Sequence, residues 1–234
     1  MKRVVVFTGA GVSADSGIAT FRDSDGLWAN YRIEDVCTPE ALQRNRAGVI
    51  EFYNMRRREV MSKQPNAGHT AIAELEKYFD VKVITQNIDN LHERAGSSFV
   101  LHLHGEVMKL RSERNPEVIV PIDTPEQSLD QRGPDGELLR PHIVFFGESV
   151  PKFDEAARIA ATADIMIVVG SSLAVYPAAS LVRYARPETP VYLVDPHLPS
   201  GHGIRNLKEY IPMRSAEGTP QLVSRLIEEY GQKS

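Results

Sequence analysis

The sequence predicts an α/β fold, a parallel β-sheet with helices on both faces and a smaller lobe set off from it. Three observations carry this. Short β-branched runs recur along the chain: "RVVVFT" from Arg3, "VKVIT" from Val81, "FVLHLH" from Phe99, "DIMIVVG" from Asp164 and "VYLVD" from Val191. Runs that are apolar on both faces belong inside a sheet covered on each side. Helical patterns alternate with them, over 39–61, 68–79, 152–162, 176–185 and 219–230. Finally, residues 109–139 are polar, carry Pro116, Pro121, Pro125, Gly133, Pro134 and Gly136, and hold a single short strand candidate, "EVIVPI". That stretch reads as an excursion from the sheet rather than part of it.

Composition bounds the function. The 234 residues, 42% of them hydrophobic, suffice for one domain, or one domain with a small lobe. The 27 Lys and Arg against 31 Asp and Glu give a net charge of -4, which argues against a nucleic-acid partner. A lone cysteine, Cys37, excludes an internal disulfide and a cysteine metal cluster, and fits a reducing compartment. Met1, Lys2 and Arg3 lead straight into "VVVF" with no cleavable apolar segment, and no run approaches the roughly 20 residues of a membrane span. The expectation is a soluble cytoplasmic protein with no membrane partner.

In an open α/β sheet, ligands collect beyond the carboxyl ends of the strands. The first run ends in "TGAGVSADSG", where Gly9, Gly11 and Ala14 fall on the G-x-G-x-x-A fingerprint of a dinucleotide site. Glycines there let the chain turn tightly and approach a pyrophosphate. A dehydrogenase would proceed to a second strand tipped by an acidic residue. This chain instead places Gly17, Asp23, Ser24, Asp25 and Gly26 around Phe21, Arg22 and Trp28. Glycine hinges, one cation and aromatics make the composition of a lid, although a glycine-rich surface turn would also account for the glycines.

Polar residues crowd the ends of the next two runs. "QNIDNLHERAG" brings Gln86, Asn87 and Asp89 to the crevice, and Asn with Asp can pair with a carboxamide. The same "NID" could equally cap the helix that follows. His102 and His104 are two apart and therefore share a strand face. His104, last before Gly105, stands where a base working near neutral pH would be useful.

The blocks "GAGVSADSGIATFR", "TQNIDNLHERAG", "LHLHG", "LLRPHIVFFGE" and "VVGSSLAVYPA", in this order, resemble the sirtuin family of NAD-dependent protein-lysine deacylases. The resemblance spans nearly the whole chain. It implies a Rossmann-like part, about 1–33, 66–104 and 140–234, and a small lobe, about 34–65 and 105–139. It implies that NAD is consumed as a co-substrate: nicotinamide leaves and the acyl group passes to the ribose. By the same resemblance Gly9, Ala10, Gly11, Asp15, Thr20, Phe21 and Arg22 form the first cofactor block, with Asp15 in place of the usual glutamate. Gln86, Asn87, Ile88 and Asp89 surround nicotinamide and its ribose, with Asn87 counted among the catalytic residues. Gly170, Ser171 and Ser172 make a later cofactor turn, Ala216 lies near adenine, and Asp195 stands where asparagine is frequent. His104 is the implied base.

For the acylated peptide the resemblance implies strand addition along "HIVFFGE", with Val144, Phe145 and Gly147 at the substrate. Tyr53 and Arg56, three apart on a helix, match the Tyr-x-x-Arg signature of the branch that removes succinyl and malonyl groups. Without the resemblance, the run Arg56, Arg57 and Arg58 would read as a solvated helix face. Ile33 replaces an alanine found in some members of that branch, which narrows the expected pocket and leaves acetyl-lysine a substrate. The family's zinc cysteines are missing from 109–139, and His142 alone lies nearby, so a zinc-free lobe is expected. "EVIVPI" pairing with a strand near 137–139 would hold it together. Three alternatives share the cofactor blocks: a non-catalytic NAD sensor, a protein ADP-ribosyltransferase and a dehydrogenase.

Overall fold

A computed structural model describes residues 1–20, 31–199 and 203–231. Its strands are β1 (Arg3–Thr8), β2 (Asp80–Thr85), β3 (Val100–His102), β4 (Gly105–Ser112), β5 (Ile119–Pro121), β6 (Leu139–Ile143), β7 (Ile165–Val169), β8 (Val191–Val194) and β9 (Leu207–Ile211). Its helices are α1 (Gly11–Ala14), α2 (Ile33–Val36), α3 (Pro39–Arg44), α4 (Arg46–Ser62), α5 (Ala67–Glu74), α6 (Leu91–Arg94), α7 (Phe153–Ala160) and α8 (Ser215–Tyr230).

The continuous apolar character of β1 has a direct structural cause. Val5 and Phe7 face one core with Ile84, Met166 and Val168, while Val4 and Val6 face a second with Val81, Val83, Ile165 and Ile167. The first core is closed by α7 and a 3-10 segment, Ala178–Arg183, and the second by α5 and α8. The resulting sheet has the order β3-β2-β1-β7-β8-β9, every neighbouring pair parallel. Strand order therefore reverses between β1 and β7, the place where a doubly wound sheet opens a crevice.

The small lobe joins α2, α3 and α4 to an antiparallel sheet of order β5-β4-β6. The expected pairing of "EVIVPI" with residues near 137–139 does not form. Ile119, Val120 and Pro121 pair instead with Arg111, Leu110 and Lys109 of β4, and Leu138 bridges to Arg132. Leu139 belongs to β6, on the other edge of β4. An irregularity in the β4–β6 ladder between Gly105 and Leu110 breaks the alternation that would have advertised β4 in the sequence. Gly105 is obligatory at its start: φ is +84°, and a Cβ would lie 2.0 Å from the His142 carbonyl oxygen.

Other boundaries differ from the sequence reading for local reasons. The expected helix over 39–61 divides at Asn45, whose side chain accepts from Gly48 N at 3.0 Å and so caps α4. The segment after Tyr176 forms 3-10 rather than α-helix. β9 was not anticipated; "LKEYI" carries charges and lies at the sheet edge.

Two of the three arginines in the run on α4, Arg56 and Arg57, are buried, and only Arg58 lies at the surface. Arg57 is fully buried and reaches across the lobe, donating from Nε to Pro125 O (2.8 Å), from Nη1 to Val107 O (3.4 Å) and from Nη2 to Asn54 Oδ1. Asn54 in turn binds both backbone groups of Gln127, which donates through Nε2 to Leu139 O at 2.8 Å. Arg46 adds contacts to Leu129 O, Leu139 O and Glu113. Hydrogen bonds from one helix thus hold the long 113–138 connection onto the lobe.

Candidate active site

The β1 and β7 turns meet at the strand-order reversal. Gly9 N donates to Val169 O (3.1 Å) and Gly11 N to Gly170 O (2.8 Å). A Cβ on Gly11 would sit 2.7 Å from Gly170 Cα, and one on Gly170 would sit 2.3 Å from Val12 N. The fingerprint glycines are therefore needed first for backbone to pass backbone. Their effect is to bring Ala10 and α1 beside Gly170, Ser171 and Ser172. Gln86, at the end of β2, joins the same group by donating through Nε2 to Ser171 Oγ at 2.9 Å.

Beneath this turn lies a buried polar network centred on Ser13. Its hydroxyl donates to Asp89 Oδ2 (2.9 Å), accepts from Asn87 Nδ2 (3.1 Å) and lies 3.4 Å from His69 Nε2. Asp89 Oδ1 also accepts from Leu91 N, the first residue of α6, at 3.0 Å, whereas the N-cap residue Asn90 makes no side-chain cap bond. Burial raises the Asp89 carboxyl above its ordinary range, opposed by the hydrogen bonds from Leu91 and Ser13. Ile88 is half-buried, and its carbonyl accepts from Val107 N at 2.8 Å, tying this loop to β4.

The two histidines flank the same loop. His104 Nδ1 lies 3.1 Å from Gln86 O, and His102 Nδ1 lies 2.8 Å from Asn87 O. A carbonyl can only accept, so each ring carries its proton on Nδ1. For His104 this leaves Nε2 with the lone pair. Burial lowers its pKa, partly offset by the Gln86 carbonyl, so the ring is neutral at physiological pH.

A third wall forms from the small lobe. Tyr53 stacks on Phe145, ring centroids 6.0 Å apart, and its hydroxyl lies 3.4 Å from Cys37 Sγ. Arg56 is 5% exposed, pairs with Glu59 through Nη1, and has an Nε that is buried with no partner. Arg140 lies 3.8 Å over the Phe145 ring, and Glu148 holds Arg140, Arg111 and Phe145 N together. Val144 N donates to His104 O at 2.9 Å, so this wall is hydrogen-bonded to the main chain of His104. Gly147 follows at φ +91° on the surface, and Ile33 packs half-buried against the same cluster.

The Sir2 family model matches residues 9–177. The chain belongs to the Sir2 family. A protein of Aggregatibacter actinomycetemcomitans named NAD-dependent protein deacylase is 54% identical over 197 residues, 84% of this chain and 94% of that protein. One of the same name from Bacteroides thetaiotaomicron is 49% identical over 233 residues, 97% of this chain and 99% of that protein. Among solved structures, a Sir2 homolog–NAD complex is 36% identical, covers 98% of this chain and 91% of its own, and superposes with a TM-score of 0.87.

The site fits the dinucleotide of the Sir2 family. The Gln86 amide and the Ser171 hydroxyl meet above the buried Ser13, Asn87 and Asp89 network, beside a turn that only glycines permit. Asp15 is occupied at both oxygens, by Ala216 N (3.0 Å) and Arg214 (3.1 Å), and so fastens the start of α8 to α1. Asp195 is buried at the end of β8 and accepts from His197 N. Ser172 and Thr20 are half-buried near their turns, whereas Phe21, Arg22 and the proposed lid up to Trp28 lie outside the described residues. Sequence reasoning missed Ser13, Glu93 and Ser215, whose hydroxyl donates to Gly11 O. Only the position of Ser13 inside the fingerprint could have pointed to it.

Proposed function

We propose that this Sir2-family chain is an NAD-dependent protein-lysine deacylase that removes succinyl and malonyl groups as well as acetyl, acting on acylated proteins in the cytoplasm. Bound NAD supplies an activated ribose carbon with nicotinamide as its leaving group. The chain's own residues do the rest. Asn87 and Asp89, held by Ser13, grip the carboxamide and orient it for departure. The remaining cofactor contacts fall to Gly9, Ala10, Gly11 and the 170–172 turn. His104 Nε2, the nitrogen left free by the Gln86 carbonyl, takes the ribose hydroxyl proton. Val144 and Phe145 line the acyl-lysine channel beside it.

The observation that carries the acyl preference is Arg56: a buried guanidinium whose Nε lacks an acceptor, on the helix that also presents Tyr53. A carboxylate at the end of the acyl chain would satisfy that donor, and a charge-assisted bond is worth roughly 1.5–3 kcal/mol, about one to two decades in rate. The test compares rates on succinyl, malonyl and acetyl forms of one peptide. Arg56→Met is expected to cut the succinyl and malonyl rates about 10- to 100-fold relative to acetyl. An unchanged ratio removes the carboxylate grip, and no nicotinamide release from any form removes the deacylase.

A further inference from the structure

His102 closes β3 beside the Asn87 loop. It is a buried imidazole between two acceptors: Asn87 O lies 2.8 Å from Nδ1 and Glu93 Oε1 lies 2.7 Å from Nε2. A neutral imidazole has one N–H and can serve only one of them. Both bonds form together when the ring is an imidazolium facing an ionised Glu93. Its charged surroundings favour that state. Glu93 on α6 and Glu106 on β4 raise its pKa against the effect of burial, and Glu106 is itself paired with Lys109. Asp89, in the loop between, feels the same positive charge, while the neighbouring His92 is kept neutral by burial.

The geometry points to a positioning role: we propose that the His102–Glu93 pair, doubly hydrogen-bonded, clamps the Asn87 main chain and so fixes the side chain that grips the nicotinamide carboxamide. This rests on the reading of Asn87 given above. His102, the last residue of β3, and His104, two residues further on, hold consecutive carbonyls, Asn87 O and Gln86 O. They do so in opposite protonation states. The base must be neutral, and the clamp must be charged. Activity is thus bounded on the acid side by His104 and on the alkaline side by His102, where deprotonation removes one N–H and releases either Asn87 or Glu93.

The experiment is the pH profile of nicotinamide release by the full chain with NAD and acyl peptide, for wild type, Glu93→Gln, His102→Gln and Asn87→Ala. Glu93→Gln keeps an acceptor and removes the charge, so the alkaline limb should move acidward by about one unit. The acid limb should stay in place. His102→Gln should lower kcat/KM roughly 10- to 100-fold and abolish the alkaline limb. Nitrogen NMR of the wild-type imidazole should find both ring nitrogens protonated at neutral pH, a readout that does not require the variants to fold. A neutral His102, or an alkaline limb unmoved in Glu93→Gln, overturns the clamp. Full turnover by Asn87→Ala instead overturns the assignment of Asn87 on which it rests.

Discussion

Arg57 tests how the small lobe holds together with one cysteine in the chain. Arg57→Met keeps most of the apolar stem and removes the guanidinium, leaving Pro125 O and Val107 O to find new donors in a buried place. Of its three hydrogen bonds, that to Pro125 (2.8 Å) and that to Asn54 are close, whereas that to Val107 is long at 3.4 Å. Charged hydrogen bonds contribute roughly 1.5–3 kcal/mol each, so the two closer ones set a range of about 3–6 kcal/mol. Relief of the buried charge offsets part of this, since burial already pushes the guanidinium down to about 10. The expected loss is about 3–5 kcal/mol, the range for breaking a buried charged contact whose partners remain. For a chain of this size that corresponds to a fall in Tm of roughly 6–20 °C.

Thermal unfolding followed by circular dichroism measures the fall. Hydrogen exchange locates it, with faster exchange expected across β4, β5 and the 113–138 connection before the large sheet responds. A chelator should not reproduce the effect in wild type. A loss of less than about 1 kcal/mol, the worth of an ordinary neutral bond, would mean that the clamp is incidental and that apolar packing holds the lobe.

Two further predictions concern the site. Gly170→Ala meets both a left-handed φ of +59° and a contact of 2.3 Å with Val12 N, so it should lose more than about 2 kcal/mol of stability and weaken NAD binding by calorimetry; a wild-type Tm and affinity would refute the reciprocal glycine packing. His104→Ala should reduce NAD-dependent deacylation by roughly 10²- to 10⁴-fold. Because burial lowers the His104 pKa from 6.5 and only the neutral ring can accept a proton, the acid limb of wild-type activity should lie below that value. An acid limb above it would place the controlling group elsewhere.

The large sheet was legible because its signal is local. Val4 to Phe7 or Ile165 to Val169 must be apolar on both faces wherever they sit, and helices between them follow from parallel pairing. β9 escaped notice for the converse reason: an edge strand with Lys208 and Glu209 satisfies water on one side and shows no such run. The small lobe was hardest. Its β4 begins at an irregularity in the ladder, and its fastening uses arginine side chains that reach carbonyls some 50 to 68 positions away, as Arg57 does with Val107 and Pro125. Nothing in the run "RRR" distinguishes the buried Arg57 from Arg58, which pairs at the surface with Glu51 and Glu126.

The site divides along the same line. Residues proposed for the site from their place at a strand end, such as Gln86, Asn87, Asp89 and His104, could be picked out because the crevice of a doubly wound sheet has a fixed address. Residues whose role depends on each other could not. Ser13 matters because Asn87 and Asp89 both reach it, and Glu93 because His102 does. A strand can aim two histidines at one face, but only the folded loop decides that one meets a single acceptor and the other meets two. That difference in acceptors is what separates the proposed neutral base from the proposed charged clamp, built out of the same side chain two residues apart.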